Sequence, residues 1–287
     1  MGDQARVRVP LRRRALHGEL AEDAVLELVQ STNQLFRQLW RVEELPPEVI
    51  AIHQADFYVA QVRNGGHSQF FYNARDLDRV VALAREGLSL VGAAAELDIL
   101  ERALALSRRS PSLLERLRRA LYWGAASEIA PSFGPLDNEM RTLAAGSSRW
   151  STKCANWLRS SDVIVVVDDE RAHRAALDDL ARIVPDRDAR VRARDAAREA
   201  AMSPVERTVR EACRARGLEY RGLRVGRPLE DGSTRWSIAT DPTGNHRAVT
   251  RGDVLVRIDW DVPLTEREKA LHAKLAELLR EREPEQD

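Results

Sequence analysis

An apolar run ends in three acids at Val163-Ile164-Val165-Val166-Val167-Asp168-Asp169-Glu170. A buried strand that delivers aspartates at its end is one way to hold magnesium, so Asp168, Asp169 and Glu170 are the candidates for metal-assisted chemistry. That chemistry also needs a phosphate-cradling G-x-x-x-x-G-K-[ST] loop, and the chain contains none. Acids that open a helix after an apolar run are favoured by the helix dipole alone, which is the simpler reading. A second pattern, Gly66-His67-Ser68-Gln69-Phe70, begins like the G-x-S-x-G nucleophile elbow but has Phe70 in place of the closing glycine. An elbow must follow a strand, whereas this one follows a helical run. The six histidines, His17, His53, His67, His173, His246 and His272, include no H-E-x-x-H pair, and Cys154 and Cys213 have no C-x-x-C spacing. These patterns predict no cofactor and no metal; a site assembled from distant residues around Asp168, Asp169 and Glu170 is the remaining enzymatic reading.

Charge narrows the partners. The 287 residues carry 45 basic and 45 acidic side chains, and 42 of the basic ones are arginine. A net charge of zero creates no overall field toward nucleic acid or an anionic membrane. No run approaches the roughly 18 apolar residues of a membrane span, no apolar segment follows the N-terminal arginines, and no disulfide framework is visible. The expectation is a cytoplasmic protein.

The elements that must position any site are mostly helices. Glu19 to Val42 carries a helical stripe of Leu20, Ala24, Leu28, Leu35 and Leu39. Leu45-Pro46-Pro47 breaks it, and a second helix runs from about Glu48 to Arg63. Asp76 or Asp78 opens a third helix, Gly92 marks a corner, and Ala94 to Leu106 continues helically. Ser110-Pro111 starts a helix over 112–123, and shorter helices follow at Leu136 to Leu143 and Trp150 to Arg159. No strand is expected before Val163 to Val167.

Asp168 to Val184 is helical again, and Pro185 to Ala201 has the arginine, aspartate and alanine content of a solvated helix. Ser203-Pro204-Val205-Glu206 is a capping box whose helix Gly217 closes. Alternating runs at Leu218 to Val225, Thr234 to Thr240 and Gly252 to Trp260 read as strands, with turns at Asp231-Gly232 and Gly244-Asn245. Thr265-Glu266-Arg267-Glu268 caps a last helix with the stripe Leu271, Leu275, Leu278 and Leu279, expected to pack on that sheet. The predicted fold is mainly α: a multi-helical domain over 1–165, a charged helical connector over 166–202, and a small α+β domain over 203–287. In the last, Arg221, Arg224, Arg235 and Trp236 mix bases with an aromatic ring as single-strand nucleic-acid platforms do, although acids share the segment.

Asn64-Gly65-Gly66-His67-Ser68-Gln69-Phe70-Phe71-Tyr72-Asn73 is the most distinctive stretch. Two glycines permit a sharp corner, with Gly65 expected at positive φ. Asn64 and Asn73 suit backbone caps at its two ends. At least one of Phe70, Phe71 and Tyr72 must enter the core. His67, Ser68 and Tyr72 form the candidate interaction surface. The stretch with Gln61 and Val62 resembles the signature of the DNA-mimic-protein-nineteen family: a helix ending in Asn-Gly-Gly, then Gln69, Phe70, Phe71 and Asn73. Val91-Gly92-Ala93, the helix with Leu100-Glu101-Arg102-Ala103-Leu104, and Leu136-Asp137 match its later motifs, so the resemblance covers roughly residues 20–165. It implies an all-helical domain without known catalytic residues that acts through protein contacts; its namesake presents carboxylates in imitation of DNA phosphates. Up to Val165 this chain has 21 basic and 20 acidic residues, a balance that argues against phosphate mimicry. The reading is a non-enzymatic interaction or regulatory protein with an unidentified protein partner. Nucleic-acid binding by the C-terminal module and the metal-assisted enzyme are its alternatives.

Overall fold

The computed structural model describes residues 7–109, 133–145, 149–241 and 246–261, and the chain divides into two units, Met1–Val191 and Arg192–Asp287. The N-terminal unit opens with a short strand, β1 (Val9–Arg12), followed by α1 (Arg13–His17) and α2 (Ala21–Arg37). α2 is amphipathic and buries Ala24, Val25, Leu28 and Leu35. Leu20 precedes it in extended backbone and is 60% exposed, so the predicted stripe is one residue set too long. The helix stops at Gln38, where Leu39 takes a φ of +79°.

A 3-10 turn at Val42–Glu44 leads to α3 (Pro47–Asn73). Proline begins that helix without loss, because a first-turn N–H has no partner within the helix. α4 (Leu77–Leu90) starts where the Asp76 carboxylate accepts from the Arg79 backbone N–H at 3.3 Å, and a corner with Gly92 at φ +72° leads to α5 (Ala94–Arg109). α4 packs along α3 so closely that a Cβ at Gly87 would overlap the Ala51 carbonyl. α6 (Gly134–Ala145), α7 (Trp150–Ser160), β2 (Ile164–Val167) and α8 (Glu170–Arg182) complete the unit. The core holds Tyr58, Phe70, Phe71, Phe133, Leu28, Ile52 and Leu100, all fully buried. Each such side chain contributes roughly 1.5–3 kcal/mol through the surface it removes from water.

β1 was not expected from the sequence, because four residues with a proline among them carry no readable alternation. It pairs in parallel with β2, Val9 opposite Ile164. α9 (Arg187–Ala201) buries no residue, as its composition predicts, and Arg190 at its start donates to Glu44 at 2.7 Å and to the Leu39 carbonyl at 2.8 Å.

In the C-terminal unit, α10 (Pro204–Ala215) is capped by Ser203, which accepts from the Glu206 N–H at 3.1 Å. Four antiparallel strands follow in the order β3 (Glu219–Pro228), β4 (Thr234–Asp241), β5 (His246–Arg251) and β6 (Val254–Asp259). Val205, Val209 and Cys213 of α10 cover one sheet face over Ile238 and Ala248. The strand β5 is additional to the three expected runs; its polar ends, His246-Arg247 and Thr250-Arg251, hide the apolar pair Ala248-Val249. The chain is thus a mostly helical N-terminal part followed by a four-stranded antiparallel sheet. The helix predicted over 112–123, the Gly244-Asn245 turn, His272 and the helix predicted from Thr265 lie outside the described residues.

Candidate functional site: a carboxylate on a buried imidazole and phenol at the glycine corner

α3 is two helical segments joined at Gly65 (φ −153°, ψ 24°) and Gly66 (φ +76°, ψ −179°). The positive φ expected of Gly65 therefore belongs to Gly66, whose backbone lies in a region that only glycine occupies readily. The kink folds the second segment back on the first. Gln61 on the first segment accepts from the Gln69 side-chain amide at 2.9 Å and from that of Asn73 at 2.6 Å. Asn73 thus clamps the corner through Gln61 where a backbone cap was expected, and Asn64 is exposed.

The same kink brings His67 under Tyr58, and α6 supplies the third member. Asp137, in the first turn of α6, accepts from the His67 backbone N–H at 2.9 Å and lies 2.5 Å from its Nδ1. Tyr58 Oη is 3.1 Å from His67 Nε2. One arrangement satisfies all three: His67 Nδ1–H donates to Asp137, and the Tyr58 hydroxyl donates to Nε2. Burial, reinforced by the charges of Asp137 and Glu96, pushes the Tyr58 phenol above its ordinary pKa and keeps that proton in place. Phe133, just before α6, lies 5.8 Å from the His67 ring and 5.3 Å from that of Phe71, both tilted. Gly66 has no side chain because that space is taken: a Cβ there would sit 2.5 Å from Asp137 Oδ2.

Carboxylate, imidazole and hydroxyl stand in the order of a nucleophile triad. Yet His67 and Tyr58 have no exposed surface and Ser68 is 1% exposed. His67 and Ser68 therefore cannot form the interaction surface expected of them; the kink turns them inward because Phe70 and Phe71 must also reach the core. Tyr72 is half-buried. A cleft lined by Val59, Arg63, Glu96, Met140, Trp150 and Ser151 includes none of Tyr58, His67 or Asp137. Beside it the buried Glu96 carboxylate pairs with Lys153 at 3.1 Å, and the Trp150 indole donates to Asp56 at 3.1 Å. Burial raises the Asp56 carboxyl above its usual range.

The other candidates are separate from this site. Asp168 pairs with Arg13 at 3.0 Å, Asp169 caps α8 by accepting from the Ala172 N–H at 2.7 Å, and Glu170 pairs with Arg12 at 2.5 Å. Among the described residues no three His, Cys, Asp or Glu side chains are grouped to hold a metal ion. In the C-terminal sheet Arg221, Arg224 and Arg235 are exposed. Trp236 is half-buried: it packs against the α10 core, and its indole donates to Thr250 Oγ1 at 2.9 Å. Strand alternation explains the split, since Trp236 and Ile238 share one face while Arg235 and Ser237 share the other.

The residue that sequence reasoning undervalued is Asp137. Leu136-Asp137 was visible only as a weak dipeptide match, and nothing in its spacing reveals that it meets His67. No curated protein and no solved structure matches the chain. The family model for DMP19-like protein matches residues 43–161, the span that holds the glycine corner, the Gln61 clamp and Asp137. Residues 43–161 of this chain are a DMP19-like domain.

Proposed function

We propose that this chain is a non-enzymatic interaction protein of the regulatory kind, whose DMP19-like domain is a rigid scaffold for protein contacts. The observation that carries the proposal is the sealing of Tyr58, His67 and Ser68 in the core. The hydroxyl–imidazole–carboxylate set at the corner is closed to substrate, and its phenol is held protonated. Its use is structural: it satisfies buried polar groups at a kink that would otherwise be costly.

DNA mimicry is not part of the proposal. A phosphate mimic needs uncompensated carboxylates, whereas here exposed acids alternate with arginines. Glu43 pairs with Arg79 at 2.7 Å, Glu139 with Arg102 at 2.7 Å, Asp98 with Arg102 at 3.2 Å, and Glu101 with Arg85. The packing of Trp236 against the α10 core favours this reading over the nucleic-acid one. A cytoplasmic setting belongs to the proposal; both described cysteines are free and buried, and no described helix is long and apolar enough to cross a membrane.

The test is affinity capture of the full chain from native lysate, with and without nuclease. A protein partner that survives nuclease is expected; partners lost on nuclease treatment would replace this reading with nucleic-acid binding.

A further inference from the structure

The two strands of the N-terminal unit treat their outer edges differently. On β1 the outer edge is closed by chemistry. Pro10 has no N–H to offer, and its carbonyl accepts from the Ser31 hydroxyl at 3.2 Å and from His173 Nε2 at 3.2 Å. The Arg12 N–H donates to the buried Glu27 carboxylate at 2.5 Å. Pro10 and the Arg12 N–H are therefore not available to a further strand.

Among the described residues β2 has no such closure. The Val9 N–H donates to the Val163 carbonyl at 2.9 Å, and the parallel register then turns the main-chain groups of Val165 and Val167 toward β1. The Ile164 carbonyl and both main-chain groups of Val166 point the other way. Among the described residues nothing hydrogen-bonds to them, and the Val166 side chain is 37% exposed. Proteins usually blunt an open edge with proline, lysine or a covering element, and β2 itself carries none of these.

We propose that the outer edge of β2 is a strand-addition site for an extended segment of a protein partner, apolar at its centre and basic at its flanks. Main-chain hydrogen bonds would give the affinity, as in other strand-addition complexes. Charge selects the occupant. Asp162 is exposed just before the strand, and just after it Asp168, 80% exposed, Asp169 and Glu170, together with Glu27, outnumber Arg12, Arg13 and Arg174, the cations paired with them. A second copy pairing antiparallel through β2, centred on Val165, would set Asp162 opposite Asp168, and like charges facing each other across a ladder are destabilising. A segment with arginine or lysine at both ends meets the same acids favourably. The inference rests on the protein-interaction reading above and names the partner's chemistry.

The test uses the full chain and two blocked peptides of alternating valine and threonine, one flanked by arginines and its twin by glutamates. At low ionic strength the basic peptide should bind at least about tenfold more tightly than its twin, and binding should slow amide exchange at Val166 by about tenfold or more. Asp162→Lys should reduce that preference. Val166→Pro, which removes the edge donor, should abolish it; if that variant does not fold, the basic peptide N-methylated at alternate residues should bind no better than the acidic twin. Equal binding of the twins, binding of neither, or no protection of Val166 would overturn the proposal. A concentration-dependent dimer with Val166 protected would assign the edge to a second copy, and would overturn it too. If the peptides fail while a nuclease-resistant partner is still captured, only the edge site falls; if capture also fails, the broader reading falls with it.

Discussion

Replacing Gly66 with alanine tests the corner most directly. At φ +76° and ψ −179° an alanine pays about 1–3 kcal/mol in backbone strain. Its Cβ would lie 2.5 Å from Asp137 Oδ2 and 2.9 Å from Cγ, so the carboxylate must move. That movement weakens the two contacts Asp137 makes with the buried His67. A hydrogen bond to a charged group contributes about 1.5–3 kcal/mol, so the total is roughly 3–6 kcal/mol. Because the chain has two units, native-state amide exchange within the N-terminal unit is the suitable assay. The clash and the strain can be separated: in an Asp137→Ala background Gly66→Ala should cost only the backbone part, about 1–3 kcal/mol. The cycle should thus show a coupling of about 1.5–3 kcal/mol. A Gly66→Ala cost under about 1 kcal/mol, or a cycle additive within about 0.5 kcal/mol, would refute the reasoning. Gly65→Ala, at φ −153°, should cost less than Gly66→Ala.

Three further outcomes follow from the same geometry. Glu27→Ala should destabilise the N-terminal unit by about 1.5–3 kcal/mol in urea unfolding, because it leaves the Arg12 main-chain N–H without its acceptor and the largely buried guanidinium with only the exposed Glu170 as partner; Glu27→Gln should cost less. The Glu44 carboxyl is held down from 4.5 to about 2, chiefly by its hydrogen bonds from Arg190. A depressed carboxylate favours the folded state above its unfolded pKa. Its contribution should therefore be full above about pH 4.5 and fade as pH falls toward about 2. Unfolding midpoints across that window should fall less steeply in Glu44→Gln. Trp236→Ala should destabilise the C-terminal unit by about 3 kcal/mol through lost packing and an unpaired Thr250 hydroxyl, whereas Arg235→Ala should stay within about 0.5 kcal/mol. Equal costs at the two positions would contradict the assignment of faces.

Helix ends were legible in the sequence because their causes are local. Pro47 at a first turn, Asp76 and Ser203 as caps, and Gly217 at φ +71° each act within a few residues. β1 was not legible, since its partner β2 lies more than 150 residues away and Pro10 obscures any alternation. β5 was hidden for a related reason: its apolar centre is two residues long, and only pairing on both sides makes it a strand. Within the site, Gly66, Gln69, Phe70 and Phe71 could be marked from spacing. The inward turn of His67 and Ser68 could not, because it depends on the direction the kink takes.

By itself the sequence determined the helical character of the N-terminal part, the existence of a corner at Asn64-Gly65-Gly66, the balanced charge and the family resemblance that residues 43–161 carry. These rest on backbone preferences and apolar periodicity, which operate over one or two turns. Only the tertiary structure decided that Asp137 meets His67 across 70 residues, that Trp236 faces α10, and that Ser31 and His173 close the Pro10 edge of the parallel pair. Such pairings are chosen by the packing of whole elements, and no spacing within a single element encodes which distant side chain will fill the space a glycine leaves.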